Sequence, residues 1–381
     1  MSHSPDIVNN STLFVDPAAL RGNVRAAAAS LCRGCRVVPV LKCDAYGLGM
    51  IPAARALEGM EEVYALAVAH IAEGIELRRA GIQKDILVLG NPNPRQLREA
   101  AEHALTLTVG RSGLLPALAA PGKPVSVQIK LDTGLHRAGV APGEELAALL
   151  REWKDAGDTL RLTGAYSHFA DTANAARCRE QYESYLAGVE QIEAAGLSVP
   201  FRHICDSAAS ELYPEYHLDA VRLGRRLMMD HPTAPRGDIR EIASWRAVIT
   251  DIRSRRAGDT LGYADAYRLP RDARIAILGI GYGDGLPPAM AAVHAPVLIG
   301  GVPCPLLGCC MDQCFADVTE AKAEIGGTAT IFGYDEAGNL LSAQKQAERC
   351  GAAEGCGITS ALSPRVTRLW LDDSREDGET T

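Results

Sequence analysis

The sequence predicts an α/β plus β architecture: an N-terminal (β/α)8 TIM barrel followed by a mainly-β, barrel-like domain. Two observations carry this. Between Val37 and Arg222, short apolar segments alternate with stretches whose apolar residues recur at spacings of three and four, the pattern of a strand–helix repeat. At His231-Pro232-Thr233-Ala234-Pro235-Arg236-Gly237 the composition becomes rich in proline and glycine, and beyond it the pattern is mostly strand-like with glycine turns. The expected domains are residues 1–236 and 237–381; a chain of 381 residues exceeds the usual size of one domain.

The first expected strand, Val37–Leu41, has five residues, four of them apolar, and Lys42 is the first polar group past its end. Asp44, Tyr46, Gly47 and Gly49 follow, then the helical run Ile51–Leu57. Seven more strands are expected at Tyr64–Val68, Ile86–Leu89, Leu105–Val109, Val125–Leu131, Leu160–Tyr166, Arg202–Cys205 and Asp219–Arg222. Between them lie helical stretches such as Ile71–Ala80, Pro94–His103, Glu144–Ala156 and Arg177–Ala195, punctuated by Gly81, Gly157 and Gly196. Eight units with no G-x-G-x-x-G after the first strand favour the barrel over a doubly wound open sheet. Downstream the expected strands are Ala243–Ile252, Ala273–Leu278, Pro296–Ile299, Pro303–Leu307, Cys314–Val318 and Ala329–Phe332. Two turns stand out there. Leu261-Gly262-Tyr263-Ala264-Asp265 presents a tyrosine, and Cys310-Met311-Asp312-Gln313 presents an acid and an amide at a strand's start. The polar tail Asp372–Thr381 is expected to fray.

A hydrophobic content of 47% and a charged content of 23% suit a globular protein in water. The net charge of −8 argues against a surface for nucleic acid. No apolar run reaches the length of a membrane span, and MSHSPDIVNN lacks the basic-then-apolar shape of a signal peptide, so the cytoplasm is the expected location. Eleven cysteines, an odd number in a long chain, read as reduced thiols rather than a disulfide framework. Neither Cys32-x-x-Cys35 nor the cluster Cys304, Cys309, Cys310 and Cys314 has a second CxxC at zinc-ribbon spacing, so no metal is expected.

In a (β/α)8 barrel the chemistry sits at the C-terminal ends of the strands. Those ends carry Lys42, Lys130 with Arg137 beyond it, His168, Ser207, and Arg222 with Gly224 just past it. Each alone reads as a structural group; together they would line one mouth, a pocket for a cofactor and a substrate. A lysine at a strand's mouth is poorly solvated, which favours its neutral, nucleophilic form. Such amines form Schiff bases with carbonyl cofactors such as pyridoxal phosphate (PLP). Tyr46 and the glycine-rich turn would offer a hydroxyl and backbone N–H groups to a phosphate.

Over nearly the whole chain, these segments resemble the fold-type III PLP-dependent alanine racemases. The resemblance lies in Val40-Leu41-Lys42-Cys43-Asp44-Ala45-Tyr46-Gly47, Lys130-Leu131-Asp132-Thr133-Gly134-Leu135-His136-Arg137, Ser167-His168-Phe169-Ala170, Asp206-Ser207-Ala208-Ala209 and Val221-Arg222-Leu223-Gly224. It continues in Gly262-Tyr263, Gly281-Tyr282-Gly283-Asp284-Gly285 and Cys310-Met311-Asp312-Gln313. Any one match is weak; the set in this order is specific.

The resemblance implies a cytoplasmic homodimer that interconverts L- and D-alanine and supplies the D-amino acid for peptidoglycan, with an active site shared between subunits. It implies that Lys42 carries PLP and acts as a base on one face of the α-carbon. Tyr263, lent by the neighbouring subunit, would be the base on the other face, with His168 and Arg222 as the cationic or hydrogen-bonding neighbours that favour its phenolate. Arg222 would face the pyridine nitrogen. Tyr46, Ser207, Gly224 and Arg225 would hold the phosphate. Arg137, the backbone at Met311 and the neighbouring Asp312 would form the substrate's carboxylate site, with Lys130, carbamylated in many relatives, orienting Arg137.

Three departures put strict alanine specificity in question. Leu223-Gly224-Arg225-Arg226-Leu227-Met228-Met229 lacks the family's usual proline and apolar run, and Leu286-Pro287 follows the Gly-Tyr-Gly-Asp-Gly segment where a tyrosine is common. Pro364 stands where some alanine racemases carry a pocket-narrowing tyrosine. A serine or broad-specificity racemase is therefore the alternative. A PLP decarboxylase of the same plan usually has glutamate where Arg222 stands, and non-catalytic PLP-binding proteins lack the second domain.

Overall fold

The computed structural model describes residues 9–119, 123–156, 159–229, 239–352 and 355–372. The expected boundary at 236/237 with its linker, Gly157 and all of the polar tail but Asp372 lie outside them. The chain divides into two compact units, Arg21–Ala45 with Met50–Leu227, and Met1–Leu20 with Tyr46–Gly49 and Met228–Thr381.

The first strand of the chain, β1 (Ser11–Val15), belongs to the unit built from the chain's two ends and is taken up with it below. The other unit is a barrel of eight parallel strands: β2 (Arg36–Pro39), β3 (Leu66–Val68), β4 (Ile86–Val88), β5 (Thr106–Val109), β6 (Val125–Lys130), β7 (Leu160–Tyr166), β8 (Arg202–His203) and β9 (Ala220–Leu223). Their order is β2-β9-β8-β7-β6-β5-β4-β3. The ring closes between β2 and β3 through Val37 N–H to Glu62 O (2.9 Å), Tyr64 N–H to Val37 O (2.9 Å) and Leu41 N–H to Ala67 O (2.7 Å). All eight expected strands are present, most of them trimmed at an end. The helices Ile71–Arg79 and Ala175–Ala194 stop at Gly81 (φ 91°) and Gly196 (φ 86°), whose N–H groups return to Arg78 O and Glu193 O. The expected helix Pro94–His103 is instead a 3-10 turn, Pro94–Gln96, followed by the helix Leu97–Glu102.

Inside the barrel, Val38, Val40, Ala67, Leu87, Phe201 and Ala220 form an apolar plug. Burying side chains of valine, leucine or phenylalanine size stabilises by roughly 1.5–3 kcal/mol each. The strands also bury Thr108, Gln128, Lys130, His203 and Arg222. An apolar plug together with a polar group of this size fits a barrel whose C-terminal mouth does chemistry.

The second unit holds the remaining strands: β10 (Ala243–Arg255), β11 (Thr260–Leu261), β12 (Tyr267–Arg268), β13 (Ala273–Leu278), β14 (Pro296–Ile299), β15 (Val302–Cys309), β16 (Cys314–Asp317), β17 (Thr328–Tyr334), β18 (Leu340–Leu341) and β19 (Thr367–Trp370). The order β17-β14-β15-β16-β13-β10 closes on itself through β10–β17, a six-stranded antiparallel barrel. The thirteen-residue β10 makes this possible, pairing β1 and β17 along its first part and β13 along its second, with a register shift between Ile249 and Asp251. β1 escapes prediction because all five of its residues are buried, and a run without alternation does not say which sheet it joins.

Candidate active site

Beyond Lys42 the backbone turns left-handed. Cys43, Asp44, Ala45 and Tyr46 have φ of 54°, 55°, 50° and 58°, and Gly47 has 85°. Left-handed backbone costs a non-glycine residue about 1–2 kcal/mol, so four in a row must be held by their surroundings. Glu73 supplies one hold: Oε1 accepts the Cys43 N–H (2.7 Å), while Oε2 accepts the N–H groups of Ala69 (2.8 Å) and His70 (3.0 Å). Asp44 Oδ1 accepts from Met50 N–H (2.7 Å). In the other unit, Arg368 Nε donates to Gly47 O (3.1 Å) and Trp370 Nε1 to Leu48 O (2.9 Å). A Cβ at Gly47 would run into Thr359 O, so glycine is required. Lys42 and Tyr46 are half-buried within this turn.

Arg222, on β9 and 4% exposed, organises the barrel's polar interior. Nη1 lies 2.6 Å from His203 Nδ1, and Nη2 donates to Ser167 O (2.7 Å), Ile204 O (3.0 Å) and His168 Nδ1 (3.0 Å). His203 passes the chain on through Nε2 to Gln128 Oε1 (2.8 Å) and stacks on Tyr166. The Tyr166 hydroxyl donates to Leu89 O (3.0 Å) and lies 2.7 Å from the Thr108 hydroxyl. Among the described residues nothing accepts from Arg222 Nε–H. A fixed guanidinium with Nε–H and one Nη1–H to spare fits an acceptor such as a pyridine nitrogen.

His168 is neutral. Burial, and then the Arg222 charge, hold its pKa well below that of an ordinary histidine, although Asp206 opposes them. With Nδ1 accepting from Arg222, the proton sits on Nε2, 3.7 Å from Asp206 Oδ2. Of the two roles expected for it, cation or hydrogen-bond donor, only the second fits. Burial and Arg222 likewise hold His203 uncharged.

Lys130, the last residue of β6, is buried with Nζ 5.5 Å from the centre of the Tyr166 ring. Burial, Arg222 and Arg137 bring its pKa down to about 8 against the pull of Asp132. Asp132 also accepts from Gly134 N–H and His136 N–H, both at 3.0 Å, and so shapes the loop that exposes Arg137. Ser207 Oγ accepts from Gly224 N–H at 3.4 Å, and Arg225 opens the short helix Arg225–Met228. The barrel thus brings His168, Arg222, Lys130 and Arg137 within electrostatic reach of one another, and joins Ser207 to Gly224.

Tyr263, Met311 and Asp312 lie in the other unit. Tyr263 is 82% exposed on a turn shaped by Gly262 (φ 79°) and Ala264 (φ 54°). Met311 is 60% exposed. Its loop is clamped by the Gly-Tyr-Gly-Asp-Gly segment: Tyr282 N–H donates to Cys310 O (3.0 Å) and Gly283 N–H to Met311 O (2.8 Å), while a Cβ at Gly281 would strike the Met311 carbonyl. Buried Asp284 braces that segment, accepting from Gly281 N–H (2.9 Å) and Arg365 Nε (2.8 Å).

Glu73, Thr108, Gln128, Tyr166 and His203 do not stand out in the sequence. A signal for some of them exists. A polar residue inside an otherwise apolar strand, such as Gln128 in Val-Ser-Val-Gln-Ile-Lys, must find a partner, and it shares the parity of Lys130.

Two family descriptions match the chain, "Alanine racemase, N-terminal domain" over residues 15–232 and "Alanine racemase, C-terminal domain" over 242–370. Alanine racemase 1 of Oceanobacillus iheyensis is 34% identical over 336 residues, 84% of this chain and 88% of that one. The alanine racemase of Desulfovibrio desulfuricans is 32% identical over 369 residues, 94% and 97% of the two chains. Among solved structures, alanine racemase from D-cycloserine-producing Streptomyces lavendulae superposes with a TM-score of 0.89 at 30% identity, covering 96% of this chain and 98% of that one. That of Bacillus anthracis with bound L-Ala-P gives 0.89 at 28%, covering 98% and 97%. With both domains matched in order and relatives above 30% identity along most of its length, the chain belongs to the alanine racemase family.

Proposed function

We propose that this chain racemises alanine with PLP held on Lys42, using Lys42 and Tyr263 as the two proton-transfer groups. Racemisation removes a proton from one face of the α-carbon and returns one to the other, which requires two bases. PLP, when bound, supplies an electron sink for the charge left on that carbon. Lys42 would carry the cofactor and work one face. Tyr263 would work the other from a second copy of the chain in a homodimer; its 82% exposure in the single chain is what a residue lent to a neighbour requires. Neutral His168 would offer Nε2–H in support of the phenolate.

Fixed Arg222 carries the reading. Both Nη atoms are held by protein acceptors, and Nε–H is left for a ligand's ring nitrogen. A guanidinium does not give up its proton, so Arg222 would keep that nitrogen unprotonated and the sink weak, which favours simple return of the proton over transamination. Tyr46, Ser207, Gly224 and Arg225 would hold the phosphate. Arg137 and the backbone at Met311 would hold the substrate's carboxylate with Asp312 beside them. Lys130 would orient Arg137 after taking up CO2 as a carbamate, a reaction of the neutral amine that its lowered pKa favours.

The test is reconstitution with PLP and assay of L-alanine and L-serine side by side. A yellow protein that interconverts the alanine enantiomers supports the reading, and a protein that stays colourless and leaves L-alanine unchanged overturns it. Pro364→Tyr should lower the serine-to-alanine ratio if proline at this position widens the pocket, and an unchanged ratio rejects that explanation.

A further inference from the structure

The cysteine cluster of the second unit lies outside the proposed catalytic groups. β15 and β16 run antiparallel into the loop Cys310–Gln313, and their last register pair is Cys309 opposite Cys314. Cys310 N–H donates to Gln313 O at 2.7 Å just beyond that pair, which makes Cys309–Cys314 a non-hydrogen-bonded pair of the ladder. Such pairs set their Cα atoms about 4.5 Å apart, within the roughly 4.4–6.8 Å that a disulfide spans. Cys309 Sγ donates to Cys310 O at 3.4 Å. Both cysteines are free; Cys314 is fully buried and Cys309 half-buried.

We propose that Cys309 and Cys314 are a redox modification site that closes to a disulfide across the base of the Met311 loop on reaction with a hydroperoxide. Cys309 is the attacking thiol, because it is half-buried where Cys314 is fully buried, and its pKa lies below the ordinary thiol value with Cys314 beside it. Its sulfur takes the terminal peroxide oxygen: the O–O bond breaks, a sulfenic acid forms, and the leaving oxygen is protonated to water or an alcohol. Cys314 then attacks the sulfenic sulfur, the S–S bond forms and water leaves. Two thiols lose two electrons and two protons, and the peroxide is reduced. Cys310, next in sequence, points its backbone into the clamp with Tyr282 and is not required. The bond would fix the loop that presents Met311. Any effect on catalysis rests on the function proposed above, whereas bond formation does not.

The tryptic segment Ile275–Lys322 contains Cys304, Cys309, Cys310 and Cys314. The full-length reduced protein is treated with hydrogen peroxide, denatured, alkylated and digested, and the alkyl groups on this segment are counted by mass. The wild type should lose two and regain them with dithiothreitol. Cys310→Ser should also lose two, Cys309→Ser none, and Cys314→Ser no more than one, the sulfenic acid left on Cys309. Full alkylation of the oxidised wild type, oxygen additions that dithiothreitol does not reverse, a loss that Cys310→Ser abolishes, any loss in Cys309→Ser, or a loss of two in Cys314→Ser would each overturn the assignment.

Discussion

Glu73 Oε1 accepts the backbone N–H of Cys43 at 2.7 Å, one residue beyond Lys42. The same carboxylate accepts from Ala69 and His70, so one half-buried side chain ties the left-handed turn to the start of the next helix. Glu73→Gln replaces an acceptor oxygen by a donor and leaves at least one N–H facing another N–H. Losing a charge-assisted bond of this kind costs about 1.5–3 kcal/mol. We expect PLP affinity, read by titrating the apoprotein, to weaken about tenfold; an unchanged Kd would remove Glu73 from the positioning of Lys42.

Buried, uncharged His168 and His203 make stability depend on acid. In the folded chain both stay neutral below the ordinary histidine pKa, while the unfolded chain takes up protons there. Unfolding therefore binds protons as the pH falls through about 6.5, and each histidine lowers stability by at most about 1.4 kcal/mol per pH unit below it. Urea midpoints should fall from pH 7 to pH 5. His203→Gln should be less stable at pH 7 yet show a shallower fall, and an equal or steeper fall would contradict the assignment.

Lys130, brought down to about 8, has an appreciable neutral fraction at mildly alkaline pH. In 13C-labelled bicarbonate the protein should show a carbamate carbon signal that Lys130→Ala lacks. A spectrum identical in both proteins would refute carbamylation. The same depressed pKa, set against an unfolded lysine near 10.4, means that burying the charged amine opposes folding below pH 8 and that this cost is relieved as the pH rises.

Arg222→Lys should test the barrel's polar interior. An ammonium cannot reach His203, His168, Ser167 O and Ile204 O together, and each buried acceptor left unpaired costs about 1–3 kcal/mol. A loss of at least about 2 kcal/mol of unfolding free energy is expected; a loss below half of that would mean that the network relaxes around lysine.

Much of the fold is legible in the sequence because the eight barrel strands are short apolar runs separated by helical periodicity, and four of the six expected strands of the β domain end at a glycine. β1 and β19 are not, because the two ends of the chain pair with each other, and β1 with β10, only in three dimensions. Lys42, His168, Ser207 and Arg222 are legible because a barrel places strand ends at one mouth. Glu73 is hidden, since a glutamate in the first turn of a helix looks like any capping residue. The left-handed path from Cys43 to Tyr46 is hidden too, since only Gly47 in that stretch favours it.

Exchange of the α-proton with deuterated solvent, followed separately from L-alanine and from D-alanine in the Tyr263→Phe protein, tests the two-base arrangement most directly. Removing a base that serves one face should slow exchange from one enantiomer by roughly 10²- to 10⁴-fold and affect the other far less. Equal losses from both enantiomers would show that the phenol does not serve one face of the α-carbon.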